Sequence, residues 1–201
     1  MKRSRQSGFT LIELMITLAV AGVIVGIAIP NMRSFIQNNR LSSTANDLLH
    51  SLQTARSEAI KRQQGPVVVC ATTNPSAADA ALTCSYGAFA AWFVYVDING
   101  NWQHDGAEPI IERHEPVDAS VTVRSGGNGV RSYAVTGFAN SDPAKVQTAN
   151  VVLCDVRGNQ AVGATDSTAR ALYVARTGRA WVTKTKLAVA TALTTLGVSC
   201  P

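Results

Sequence analysis

The sequence has few of the residues on which catalytic and metal sites usually depend. It contains only 3 histidines, and none stands in a recognisable nucleophile motif or at zinc-ligand spacing. None of the 4 cysteines forms a Cys-x-x-Cys pair, and there is no phosphate-binding P-loop. The glycine-rich run at 126–129 lacks the strand-to-helix context of a dinucleotide site. We therefore expect a protein that is not an enzyme and that carries no organic cofactor.

Charged residues are also scarce, at 15% of the chain, whereas hydrophobic residues make up 46%. A disordered chain has the opposite composition. The formal net charge is +5, but Lys2, Arg3 and Arg5 supply three of the 18 basic residues, which leaves 15 against 13 acidic ones, or +2. That small excess gives little support to nucleic-acid binding. Without a leader and a membrane span, about 170 residues remain, enough for one globular domain.

The amino terminus joins a basic cluster, a Gly-Phe pair and a long apolar run. Gly8 and Phe9 follow the cluster, and apolar residues continue from Leu14 to Ile29 with one carboxylate, Glu13, at their start. The stretch from Phe9 to Ile29 is long enough to cross a membrane, and a lone acid costs about 2.5–3.5 kcal/mol at the bilayer centre and less near its edge. A secretory signal peptide and a plain membrane anchor are the alternatives, but neither explains Glu13.

This segment, which reads G-F-T-L-I-E-L from Gly8, resembles the processing site of type IV pilins and pseudopilins. The resemblance implies that a prepilin peptidase of the membrane cuts after Gly8 and methylates the new amino terminus at Phe9. It also implies that Glu13 neutralises the amine of a neighbouring subunit during filament assembly. The leader cations would hold the amino terminus in the cytoplasm, so that the rest of the chain crosses the inner membrane into the periplasm.

The 4 cysteines, Cys70, Cys84, Cys154 and Cys200, lie in the exported part of the chain. An even number outside the cytoplasm favours disulfides over four buried thiols, and three pairings are possible. We favour Cys70–Cys84, which closes a short loop, and Cys154–Cys200, which ties down the carboxyl terminus. Each bond would contribute about 2–4 kcal/mol.

The expected fold class is α+β, with a long amino-terminal helix packed on a carboxyl-terminal antiparallel β-rich domain, as in pilins. After the leader at 1–8, the helix has an apolar transmembrane half at 9–29 and an amphipathic half at 30–65. Pro30 predicts a kink or loosening between them, and Gly65-Pro66 predicts the helix end. Apolar residues form a seam at alternating spacings of four and three: Leu41, Ala45, Leu48, Leu52, Ala55 and Ala59.

Residues 66–201 are expected to form the globular domain, in which β-branched and aromatic segments alternate with turn-rich loops. Two of these segments, 121–124 and 130–135, flank a glycine-rich run and predict a hairpin. The tail from Leu187 to Leu196 is ambiguous, and we expect an extended segment pinned by Cys200. The other predicted strands are 66–70, 88–96, 151–154, 171–175 and 180–183.

Motifs along the rest of the chain resemble the H group of minor pilins and pseudopilins, which includes the T- and U-type fimbrial minor pilins. The resemblance implies a minor pilin that initiates or caps a type IV pilus and supports twitching motility, adhesion or DNA uptake. Its partners would be other minor and major pilins and the inner-membrane assembly platform. An H-type pseudopilin of a type II secretion system is the alternative. The motifs are Arg56–Arg62, Trp92–Asp97 with Asn99–Asn101, Leu153–Gly158 and Ser167–Trp181.

One loop carries oxygen-bearing side chains at the spacing of an EF-hand calcium site. A tryptophan stands at its sixth position, where glycine is expected, and a strand instead of a helix follows it. Asn-Gly and Asp-Gly are also common turn formers. We therefore prefer a plain hairpin connection and keep calcium as the alternative. The five ligands would be Asp97, Asn99, Asn101, Asp105 and Glu108.

A basic group near the carboxyl end raises the possibility of DNA binding. Some T-type minor pilins bind DNA through a Gly-Arg-x-Arg element, but here Gly178-Arg179-Ala180 is followed by Trp181 instead of arginine. A tryptophan can stack on a base. We prefer a solvated cationic face, with DNA binding as the alternative. The residues concerned are Arg176, Arg179, Lys184 and Lys186.

Overall fold

The computed structural model describes residues 8–85, 91–126, 130–140 and 151–201. The leader residues 1–7 and the start of the strand predicted at 88–96 lie outside the described residues. The first element is the helix α1, Leu11–Arg62. The others are β1 Val67–Thr72, β2 Ala91–Val96, β3 Ile110–His114, β4 Thr122–Ser125, β5 Val130–Tyr133, β6 Ala139–Asn140, β7 Val151–Cys154, β8 Ala161–Val162, β9 Asp166–Val174, β10 Ala180–Thr185 and α2 Lys186–Leu196.

The chain forms two compact units, Met1–Asn38 and Asn39–Pro201. In the first unit, every residue of α1 from Leu11 to Ile29 is exposed, and this part of the helix is long and apolar enough to cross a membrane. The helix continues through residue 30 without interruption. Pro30 therefore does not end the helix, and the local kink expected there stays a prediction.

In the second unit, the amphipathic part of α1 packs on the sheets through the predicted apolar seam. Every seam residue is at most 1% exposed, and the cluster they form includes Val69, Trp92 and Leu153 from the strands. Burial of one leucine side chain contributes about 1.5–3 kcal/mol. The seam is thus confirmed, and it consists of Leu41, Ala45, Leu48, Leu52, Ala55 and Ala59.

The carboxyl end of α1 differs in detail from the prediction. The helix ends at Arg62, and Gln63 takes the left-handed conformation with φ 52°. Gly65 follows the helix instead of ending it. A Cβ atom at Gly65 would lie 2.4 Å from the carbonyl oxygen of Asp97, so this position needs glycine because two chain segments approach closely there.

The strands form two antiparallel sheets, which establishes the α+β class. The first sheet has the order β3-β2-β1-β5-β6, and the second has the order β10-β9-β7-β4 with β8 beside β9. The hairpin predicted across the glycine-rich run is wrong, because β4 pairs with β7 and β5 pairs with β1. Strands β4 and β5 each pair at four positions with a strand that is distant in the sequence, and within the described part of the chain they do not pair with each other.

The outer face of the first sheet carries a second apolar cluster. Val68, Phe93 and Tyr95 contribute to it from the strands, and Leu82 covers them from the loop after β1. Cys70 in β1 is disulfide-bonded to Cys84 in that loop, with 5.6 Å between the Cα atoms. This bond holds the loop over the cluster.

The tail is helical, so the extended segment expected there is wrong. Val189 and Ala192 of α2 are fully buried against the outer face of the second sheet. Gly197 ends the helix with φ 65°, and its N–H bonds to carbonyl oxygens of the last turn. A disulfide between Cys154 and Cys200 fixes the chain end to β7. The apolar residues of the tail therefore follow the helical period because a sheet face is available to bury them.

Candidate processing and assembly site

The segment predicted for processing lies immediately before α1. Gly8 and Phe9 are exposed, and Phe9 has 84% of its surface accessible. No other part of the described chain approaches within 4 Å of the position that a Cβ of Gly8 would occupy. The bond between these two residues therefore lies in an exposed segment of the described chain.

Thr10 caps the helix that follows. Its Oγ1 accepts a hydrogen bond from the backbone N–H of Glu13 at 3.3 Å, and its carbonyl oxygen accepts from the N–H of Leu14. The order Thr-x-x-Glu at a helix start is a capping-box pattern. This pattern was present in the sequence, and the sequence prediction did not use it. A carboxylate in the first turn also interacts favourably with the positive end of the helix dipole.

Glu13 is an exposed carboxylate on an apolar helix. Within residues 8–38 the sole cationic side chain is Arg33, which is twenty positions away, or about 30 Å at 1.5 Å per residue. Among the side chains of residues 8–38, Glu13 therefore has no nearby cation, and the amine of an amino terminus carries the charge that would pair with it.

Gly22 and Gly26 lie one helical turn apart on the same apolar part of α1. Apart from the surrounding helix backbone, no atom of the described residues lies within 4 Å of either Cβ position. Small residues at this spacing allow a second helix to approach closely. The apolar half of α1 therefore has an exposed carboxylate at its start and a pair of glycines with open space beside them further along.

Two models of known protein families match this chain, one over the globular domain and one over the amino-terminal segment. The family model described as "Type II transport protein GspH" matches residues 44–178, which is more than half of the 201 residues. The chain belongs to the GspH family. The model of the prokaryotic N-terminal methylation motif matches residues 3–29, a range that contains Gly8, Phe9 and Glu13. The predicted membership of the pilin-like proteins is thereby confirmed, and members of this class are filament subunits that assemble with other pilins.

Individual relatives of this GspH-family chain are fimbrial proteins. The type IV major fimbrial protein FimA of Dichelobacter nodosus is 48% identical over 40 residues, which are 20% of this chain and 26% of FimA. The chain thus spans about a quarter of the length of the curated relatives it matches. Two crystal structures of the type IV minor pilin FimU of Pseudomonas aeruginosa are similar in structure, each over 92% of FimU. They have TM-scores of 0.46 and 0.49, identities of 18% and 19%, and cover 71% and 74% of this chain.

The loop considered for calcium is held together by its own side chains. Asp97 is fully buried, and its Oδ1 accepts hydrogen bonds from the backbone N–H groups of Gly100 at 2.7 Å and Asn101 at 3.1 Å. Its Oδ2 accepts from the N–H of Trp102 at 2.9 Å. Trp102 has φ 65°, a conformation that is uncommon for a bulky residue. The Asp97 carboxylate therefore stabilises the strained turn.

The remaining predicted calcium ligands also bond within the loop. Glu108 accepts from the N–H groups of Ile98 at 2.7 Å and Asp105 at 3.0 Å, and the Asp105 carboxylate accepts from the side-chain amides of Asn99 and Asn101. Among the described residues, no group of three or more His, Cys, Asp or Glu side chains is placed to hold a metal ion. Each carboxylate thus has a structural role, and calcium binding stays a prediction.

The residues considered for DNA binding are divided between the two ends of β10. Arg176 and Arg179 are exposed in the turn before it, and Lys186 is the first residue of α2. The six-residue strand between them spans about 20 Å. Lys184 forms an ion pair with Asp166 at 2.7 Å, and the hydrogen bond from Lys184 lowers the pKa of that carboxyl.

A contact that the sequence did not predict lies at the carboxyl end of α1. The Arg56 guanidinium donates hydrogen bonds to the carbonyl oxygens of Gly137 and Thr177, both at 3.0 Å. Gly137 lies in the turn between β5 and β6, and Thr177 lies in the turn between β9 and β10. Gly178 is so close to the first turn that its Cβ would lie 2.0 Å from the Gly137 oxygen. Arg56 therefore joins the helix to both sheets.

Proposed function

We propose that this chain is a minor pilin of a type IV pilus that initiates or caps the filament. The observation that carries the proposal is the presence in one chain of the methylation motif at 3–29 and the GspH match at 44–178. The first supplies a membrane anchor with a processing signal, and the second supplies a globular domain of the pseudopilin and minor pilin class.

In the proposed sequence of events, the chain enters the inner membrane with its amino terminus in the cytoplasm and its globular domain in the periplasm. Prepilin peptidase cuts the accessible bond after Gly8 and methylates Phe9. The assembly platform then brings the apolar helix among those of other pilins, where Glu13 pairs with the amine of a neighbouring subunit. This pairing removes the cost of a lone carboxylate in an apolar environment.

An H-type pseudopilin of a type II secretion system is the competing function, because it would need the same processing and the same helix. Two observations favour the pilus. The 40-residue match is to a fimbrial protein, FimA, at 48% identity. A disulfide joins Cys154 to Cys200 and closes the carboxyl-terminal region, and a disulfide in this region is common in pilins.

Deletion of the gene, with surface pili and secreted proteins assayed separately, tests the proposal. We expect loss of surface pili and of twitching, with protein secretion unchanged, and recovery of pili when the wild-type gene is restored. Normal piliation combined with a secretion defect would contradict the pilus assignment and support the pseudopilin function.

A further inference from the structure

One surface of the globular unit combines exposed apolar side chains with arginines. Ile60, Val135 and Phe138 are 45%, 36% and 54% exposed. Arg176 and Arg179 are exposed in the neighbouring turn. We call these five residues the Phe138 surface. Exposed apolar groups that lie together beside charged residues are typical of protein interaction sites.

These residues are held together by the contacts around Arg56. Gly137 lies so near Ile60 that its Cβ would meet the Ile60 Cδ1 atom at 2.6 Å. The backbone N–H of Ala139 donates to the carbonyl oxygen of Arg176 at 3.0 Å, which ties the two turns to each other. The surface is therefore built on the helix and both turns, and it is preorganised for binding.

A hollow opens beside this surface, between the last turns of α1 and the start of β10. Its volume is about 530 Å³, and it is lined by Gln53, Ser57 and Ile60 on one side and by Gly178, Arg179 and Ala180 on the other. The side chain of Arg56 also lines it. An apolar side chain from a partner can enter such a hollow while acidic groups around it meet the arginines.

We propose that the Phe138 surface docks the globular domain of a neighbouring pilin-like subunit, and that the partner presents an apolar residue within an acidic rim. This inference rests on the proposed function, since it names the surface through which the periplasmic part of the chain meets the next subunit. Charge complementarity gives the chemistry of the occupant: Arg176 and Arg179 would pair with carboxylates, and such pairs favour one partner and one orientation. The proposed function supplies the pilin-like subunit as the partner.

Nucleic acid is the other anionic occupant that arginines can bind, and the surface fits it less well. DNA binding depends on cationic side chains that neutralise several phosphates along the backbone. Here the two arginines lie in the turn next to apolar side chains, Lys184 is paired with Asp166, and Lys186 lies about 20 Å along the strand. An apolar centre with charges at its edge is typical of a protein interface.

Site-specific photo-crosslinking of the full chain, in cells that carry the complete set of pilin genes, tests the inference. A photoreactive phenylalanine analogue replaces Phe138 in one strain and Val20, in the apolar half of α1, in a second strain. We expect both positions to crosslink to pilin-like subunits, and we expect the peptide linked at Phe138 to contain Asp or Glu. Crosslinks from Phe138 to DNA, lipid or a protein outside the pilin class would overturn the inference.

The two positions separate the inference from the proposed function. Crosslinking to pilins at Val20 without crosslinking at Phe138 would overturn the docking surface alone, and no pilin crosslink at either position would overturn both. Arg179→Glu should lower the Phe138 crosslink about tenfold, the effect expected when one close charge pair is broken. Arg179→Lys should retain the crosslink, and so should Lys186→Glu, which reverses an exposed charge outside the surface. Equal yields from all three variants would contradict charge-directed docking.

Discussion

The Nε atom of Arg56 donates a hydrogen bond to the carbonyl oxygen of Gly137 at 3.0 Å. The same guanidinium reaches the Thr177 carbonyl at 3.0 Å, so one side chain of α1 holds a turn from each sheet. The planar fork of arginine suits two acceptors at once, whereas lysine offers a single ammonium group. Arg56 therefore ties α1 to one turn of each sheet, next to the Phe138 surface.

Arg56→Ala should destabilise the folded chain by about 1.5–3 kcal/mol, the range for hydrogen bonds that involve a charged group. Arg56→Lys should recover only part of the loss, because an ammonium group does not reproduce the fork. Chemical unfolding of the detergent-solubilised chain measures the free energy of unfolding of both variants. Arg62→Ala removes an exposed pair with Glu58 on the same helix and serves as the control. It should cost less than about 1 kcal/mol, and an equal cost for both alanine variants would contradict the role of Arg56.

Gly178→Ala should be among the most damaging single substitutions in the chain. Gly178 has φ 81°, and an added Cβ would lie 2.0 Å from the Gly137 oxygen, so the new methyl group would force the two turns apart. Gly100 provides a matched control because it also has positive φ, at 72°, but has nothing within 4 Å of its Cβ position. Gly100→Ala should cost about 1–2 kcal/mol, the strain of the left-handed conformation alone. A thermal melt that places both variants at the same midpoint would contradict the close approach.

The long helix and its buried seam were predictable because periodicity alone carries that information. Leu41, Leu48 and Leu52 repeat at the helical spacing, and the structure buries each of them. The start of the helix was predictable from Thr10 and Glu13, whose spacing matches a capping box. The helical tail also had a local signal, since Gly197 follows the last turn and takes the left-handed conformation that commonly ends helices.

Strand pairing was not predictable in the same way. The residues of β4 and β5 flank a glycine-rich run, which favours a hairpin locally, yet the strands pair with β7 and β1. Both partners lie far away in the chain, so the residues around the glycine-rich run do not contain the information that selects them. Arg56 illustrates the same limit, because its acceptors at Gly137 and Thr177 are backbone carbonyls that no side-chain pattern reveals.

Asp97→Ala should destabilise the chain because it removes a buried carboxylate that accepts hydrogen bonds from three backbone N–H groups of the turn. The exposed N–H of Gly100 can bond to water instead, whereas loss of the acceptor for the half-buried N–H groups of Asn101 and Trp102 should cost about 1–3 kcal/mol. The same structural role predicts that millimolar CaCl2 leaves the melting temperature of the wild-type chain unchanged. A saturable rise in the midpoint with calcium, absent in Asp97→Ala, would instead establish an ion site at this loop.

Glu13→Ala should still be cleaved and inserted in the membrane but should fail to join filaments, because it removes the carboxylate that we propose pairs with a neighbouring amine. Immunoblots of the membrane fraction measure cleavage and insertion, and immunoblots of the sheared-pilus fraction from the same culture measure incorporation into filaments. Glu58→Ala is the control, since it removes a helix carboxylate from the part of α1 outside the apolar half. Incorporation of Glu13→Ala at the wild-type level would contradict the pairing role.

The most direct test of the account is mass spectrometry of the mature amino terminus, on protein extracted from the membranes and pili of cells that make it. We expect a chain that begins at Phe9 and carries a methyl group on its amine, because the bond after Gly8 is exposed and lies in a methylation motif. A chain that retains residues 1–8 and has an unmodified amine would contradict it.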